Sequence, residues 1–210
     1  MLGRQIQKAT IAVCAILILA GITGQDASAQ SRWKQTVQIV TPIVSGELGQ
    51  ALVDSLIAVI HRNDIPVRRS YEDTTRYSAI DLEDILLDEG FDITSANQVF
   101  LTFLYEADPR TFSQEITEMY FIYRPQEYEE SDIPIMLVDS SHPAVRNMLT
   151  SNGTRLESNE AVFEPFWDQL RLHQLEEGMV VQIGDRVIRD EQIAMAEKER
   201  IIGIIRRFLY

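Results

Sequence analysis

Two alternating runs constrain the fold of this chain more than any other feature. Val99, Leu101, Phe103 and Tyr105 alternate with Phe100, Thr102, Leu104 and Glu106. After Asp108-Pro109-Arg110 the alternation resumes, with Ile116, Glu118, Tyr120 and Ile122 against Thr117, Met119, Phe121 and Tyr123. Successive side chains of a strand point to opposite faces, so a period of two over runs of this length predicts a β-hairpin with a longer loop. Both faces are largely apolar or aromatic, which places the pair centrally and covered on at least part of each side. Ile133 to Val138 adds a shorter apolar strand that closes at Asp139.

The segments around this block read differently. Trp33 to Val40 suits a first strand, with Val37, Ile39 and Trp33 on one side. From Ser45 to Arg62, Leu48, Ala51, Leu52, Leu56, Val59 and Ile60 recur at three- and four-residue spacing, the stripe of an amphipathic helix. Asn63-Asp64 breaks it, and Ile65-Pro66-Val67 opens an extended segment near a sheet edge, because Pro66 has no N–H to donate. Ser78 and Asp81 form a capping box, and Gly90 stands where a left-handed cap belongs, bounding a helix from Ala79 to Glu89. Further helices are expected at Pro143 to Leu149 and from about Glu160 to Glu177, with Phe163, Phe166, Trp167 and Leu170 as the stripe of the second. Gly184-Asp185 between two short apolar runs predicts a type II′ hairpin. Asp190 then caps a last helix from Glu191 to about Phe208, with Ile193, Ala196, Ile201, Ile204, Ile205 and Phe208 on its apolar side. Strands in a block with helices before and after predict an α+β fold, a central antiparallel sheet built around the long hairpin.

Residues 1–29 carry a different signal. Arg4 and Lys8 precede an apolar run of 16 residues, Ala9 to Gly24, and Ala27-Ser28-Ala29 follows. That order predicts a secretory signal peptide cut before Gln30, since the run is shorter than the roughly 20 residues a membrane-spanning helix needs; a leader kept as an anchor is the alternative. Residues 30–210 then form a single globular domain. Cys14, the sole cysteine of the 210 residues, falls inside the leader. The exported part therefore holds no disulfide, thiol nucleophile or zinc–thiolate site, a composition more typical of a bacterial periplasm than of an extracellular space.

The chain has 19 basic and 32 acidic residues; with Arg4, Lys8 and Asp26 in the leader, 17 and 31 remain. Such a field repels phosphate backbones and anionic lipid, so neither nucleic acid nor direct binding to an anionic membrane beyond the leader is expected. Acids cluster at Asp81 to Asp92 and at Glu127 to Asp132, but neither cluster has the spacing of a calcium loop, and no metal is expected. No phosphate-binding glycine loop occurs, and no cofactor is expected.

Two segments stand out as candidate sites. Asp139-Ser140-Ser141-His142 joins the end of a strand to the start of a helix, where backbone N–H groups and the helix dipole favour an anion. Consecutive residues do not make a catalytic triad, because the base must approach the nucleophile in space. At the C-terminus, Ile202, Leu209 and Tyr210 fall off the main stripe of the last helix and, bordered by Arg206 and Arg207, are the candidate contact surface. These features favour an exported, non-catalytic protein acting through protein–protein contacts, as an accessory or assembly subunit of a periplasmic or membrane-associated complex. The alternatives are a periplasmic small-ligand-binding module using Phe100, Phe103, Tyr105, Tyr120 and Tyr123 as a pocket wall, and a small hydrolase using Asp139 to His142.

Overall fold

The computed structural model describes residues 33–43, 47–108, 111–125, 131–156 and 159–209. The expected leader, the acidic run Glu127 to Glu130 and Tyr210 lie outside these residues. The fold is mixed α+β, with a large antiparallel sheet and helices before and after it. Among the described residues, eight strands, β1 (Trp33–Pro42), β2 (Gln98–Ala107), β3 (Phe112–Tyr123), β4 (Ile133–Asp139), β5 (Gly153–Leu156), β6 (Asn159–Pro165), β7 (Met179–Ile183) and β8 (Arg186–Val187), are accompanied by five α-helices. These are α1 (Glu47–Asn63), α2 (Ala79–Asp88), α3 (Pro143–Ser151), α4 (Phe166–Gln169) and α5 (Glu191–Leu209).

Six strands form one sheet in the order β4-β3-β2-β1-β7-β8, every pairing antiparallel. The hairpin of β2 and β3 is the one the alternation predicts. Val99, Leu101, Phe103 and Tyr105 are fully buried, while Phe100, Thr102, Leu104 and Glu106 are half-buried. The buried set belongs to a single core that also takes in Val37 and Ile39 of β1, Met119 of β3 and Val138 of β4. Leu52 and Leu56 of α1, Leu82 and Leu86 of α2, Leu149 of α3 and Ile201 of α5 complete it. At about 25 cal/mol per Å² of apolar surface removed from water, each such side chain contributes on the order of 1.5–3 kcal/mol.

Local signals set the element boundaries. Ser78 Oγ accepts the Asp81 N–H at 3.2 Å and starts α2, and Gly90 follows it at φ 85°. Asp190 Oδ1 accepts the Ile193 N–H at 2.9 Å and starts α5. Gly184 turns at φ 55° whereas Asp185 does not adopt positive φ, the pattern of a type II′ turn, and Ile183 pairs with Arg186 across it.

The structure corrects two expectations. No helix runs from Glu160 to Glu177: residues 159–165 form β6, α4 covers only Phe166–Gln169, and turns follow. Pro165 pushes Glu164 toward extended backbone, and Gly153 lets β5 approach so closely that Gly153 pairs with Pro165. Phe163, expected on a helix stripe, is consequently exposed on a strand. On α5 the buried positions are Ala194, Ile201, Ile202 and Ile205, so Ile202 lies in the core and Ile193 is exposed. The buried face is centred one residue further along than the sequence stripe, and Lys198 on that face donates to the carbonyls of Leu175 and Glu176. No helix of the described residues is long and apolar enough to cross a membrane.

Candidate functional site

The sheet face opposite the core carries the polar chemistry. Gln38 pairs with Thr102 on one side and with Gln182 on the other, and Thr102 pairs with Glu118, so one row crosses four strands on a single face. Glu118 reaches this face through a β-bulge. Thr102 opposes Glu118 while Phe103 opposes Ile116, which leaves Thr117 as the extra residue. Without it, Ile116 and Glu118 would share a face; the bulge sends Ile116 into the core and Glu118 out of it. Thr117 is itself held, its hydroxyl donating to the Thr102 carbonyl and its carbonyl accepting the Ser140 N–H at 2.9 Å.

A strap crosses one end of this face. Val67 and Tyr77 pair through two backbone hydrogen bonds and close the loop between them. Arg68 pairs likewise with Leu137, covering the outer edge of β4. Within the strap, Thr75 N–H donates to Asp73 Oδ1 and Asp73 N–H to Ser70 Oγ. The strap lays Tyr71 over the sheet, edge-on to Tyr120 at 4.9 Å, with its hydroxyl accepting from Gln38 Nε2 at 2.9 Å.

Two clefts meet at Glu118. One, of about 370 Å³, lies between the strap and β3–β4 and is lined by Arg68, Thr74, Arg76, Glu118, Asp139 and His142 over Ile65, Pro66 and Leu137. The other, of about 330 Å³, extends over Thr36, Gln38, Tyr71, Thr102, Gln182 and Gly184. Burial raises the carboxyl of Glu118 above the ordinary glutamate range, the guanidinium of Arg68 opposes this, and the charge of Asp139 adds to it. Burial likewise raises the phenol of Tyr71.

Of the segment Asp139 to His142, Asp139 and His142 face the first cleft. Ser140 is 1% exposed and its hydroxyl has no partner among the described residues. Ser141 donates both its N–H (2.9 Å) and its hydroxyl (2.5 Å) to Asp139 Oδ1. His142 caps α3, Nδ1 accepting the Ala144 N–H at 3.3 Å, which leaves the neutral ring its proton on Nε2. Two N–H groups that an anion at this helix start would use are thus taken by protein atoms. Neither serine is hydrogen-bonded to His142, and the nucleophile–base contact of a hydrolase is not formed there.

The five aromatics expected as a pocket wall divide between the core and partly exposed positions. Phe103 and Tyr105 are fully buried, stacked on each other at 5.8 Å, and only Phe100, Tyr120 and Tyr123 of that set reach partly outward. At the C-terminus Arg206 and Arg207 are exposed; the side chain of Leu209, like Tyr210, lies outside the described residues. Among the described residues no three of His, Cys, Asp or Glu come together as a metal site. His61 bonds Glu83 at 3.0 Å, and His173 is exposed in a turn.

Sequence reading missed Arg68, Arg76 and Glu118. For Glu118 a signal was present: it is the one charged residue in the run Ile116 to Tyr123. Nothing in the sequence says that the strap brings Arg68 and Arg76 to it. No family model and no curated protein matches the chain.

Proposed function

We propose that this is an exported, non-catalytic protein, an accessory or assembly subunit of a periplasmic or membrane-associated complex, acting through contacts made where its two ends meet. The observation supporting this reading is a stack of rings. Trp33, at the start of β1, lies 6.3 Å from Phe208, near the end of α5, with 19° between the planes, and Phe112 lies 6.0 Å from Phe208. Trp33, the first described residue, therefore lies beside the last turn of α5. If the leader is kept as an anchor rather than cut, Arg206 and Arg207 of that last turn are held close to it. Phe208 is 44% exposed although it stacks on Trp33 and Phe112, which leaves an apolar ring partly open at this end of α5. Ile202 has no part in that surface.

The test is extraction of the native protein in mild detergent, size separation, and mass spectrometry of the co-eluting chains, for the wild type and for two variants, Arg206→Glu with Arg207→Glu and Leu209→Ser with Tyr210→Ser. The expected result is a large assembly that both variants lose without a change in melting midpoint. A soluble monomer starting at Gln30, or an assembly both variants retain, would overturn the reading.

A further inference from the structure

We propose that the cleft under the strap binds a small zwitterion, a molecule carrying one carboxylate and one ammonium group, of the class of a free α-amino acid or a short peptide. Its volume, about 370 Å³, stands at the lower end of the roughly 300–1,000 Å³ of small-molecule sites. The decisive feature is its charge: two guanidinium groups, Arg68 and Arg76, stand with two carboxylates, Glu118 and Asp139, in one recess. A ligand with a single charge gains at one pair and loses at the other, whereas a zwitterion gains at both.

These groups do not saturate one another. Arg68 Nη2 is 3.5 Å from Glu118 Oε1, well beyond the roughly 2.7–2.9 Å of a strong charged hydrogen bond. Arg76 forms no ion pair and no side-chain hydrogen bond among the described residues, and the ligand carboxylate would be held in its fork with that of Arg68. Asp139 engages Ser141 through Oδ1 alone, leaving Oδ2 for an ammonium. His142 uses Nδ1 within its own helix and keeps Nε2 as a donor. The backbone of the strap is anchored by paired hydrogen bonds at Val67–Tyr77 and Arg68–Leu137, while the exposed side chain of Arg76 is ordered by the ligand.

Calorimetric titration of the purified protein with L-alanine, L-alanyl-L-alanine, N-acetyl-L-alanine and L-alaninamide tests this. At least one of the two zwitterions binds, and each single-charge compound binds at least about tenfold more weakly. Tighter binding of the dipeptide identifies a peptide end as the ligand, and tighter binding of alanine a free amino acid. Arg76→Gln removes a group with no internal partner, so it keeps the melting midpoint while weakening the zwitterion at least about tenfold; Glu118→Gln weakens it by a similar factor from the opposite charge. Absence of binding by both zwitterions, equal binding of the single-charge compounds, or wild-type affinity in Arg76→Gln overturns the proposal. None of these results bears on the contacts at Arg206 to Tyr210.

Discussion

Arg69 holds Glu89 through two nitrogens at once, Nη1 to Oε1 at 2.6 Å and Nη2 to Oε2, while its Nε donates to the Pro134 carbonyl at 3.2 Å. One side chain thus ties the strap to the end of α2 and to the first residues of β4. The Arg69 hydrogen bond lowers the carboxyl of Glu89 below the ordinary glutamate range. A carboxyl lowered by folding adds stability above its unfolded value, about 4.3, and loses it as the pH falls through its folded value. Glu89→Gln is therefore expected to cost about 0.5–1 kcal/mol at pH 7, the size of a well-made but exposed pair. By pH 3 the gap to the wild type should narrow, measured by urea unfolding at both values. Asp92 and Glu197 are lowered too, but by groups that Glu89→Gln does not touch, so they act equally in both proteins and cancel. An equal gap at both values would contradict this account.

Two glycines predict opposite outcomes for the same substitution. A Cβ on Gly153 would stand 1.9 Å from the Glu164 carbonyl oxygen, against backbone that cannot swing aside. Gly153→Ala should cost about 1–3 kcal/mol and loosen the β5–β6 pair, seen as faster amide exchange there. A Cβ on Gly203, inside α5, meets nothing within 4 Å. Gly203→Ala should add about 0.5–1 kcal/mol by restricting the unfolded chain and favouring helix. A loss of stability in Gly203→Ala would show that the helix face is occupied.

Tyr105 is fully buried between Trp33, Phe103 and Phe112, and its hydroxyl has no partner among the described residues. Burial pushes its phenol far above the ordinary tyrosine range. Tyr105→Phe keeps the ring stack and removes a hydroxyl taken from water without compensation. Stability to urea should rise by about 1 kcal/mol. A fall of that size would mean that the hydroxyl is bonded.

Much of the fold was legible because its signals are local. The β2–β3 alternation, the Ser78 and Asp190 caps, and the glycines at 90 and 184 each act within a few residues, and each produced the element it implied. The reading failed where two neighbouring codes competed. Between Glu160 and Leu170 a helix-like spacing of aromatics was outweighed by the extended backbone Pro165 imposes before itself and by a strand partner at Gly153 to Leu156. On α5 a shift of one residue exchanged Ile193 for Ile202, because helical periodicity fixes a stripe's spacing but only packing fixes its direction.

The sequence by itself determined the α+β class, the hairpin and most helix ends, since propensity, period and capping are properties of neighbouring residues. Tertiary structure alone decided where Glu118 stands and which groups surround it. The alternation assigns Ile116 and Glu118 to one face, and the bulge at Thr117, held by Thr102 and Ser140, separates them. The strap, paired at Arg68 to the distant Leu137, then brings Arg68 and Arg76 to the cleft that Glu118 lines. Register, bulges and strap position depend on which strand lies beside which, and that depends on burial summed over the whole core rather than on any local run.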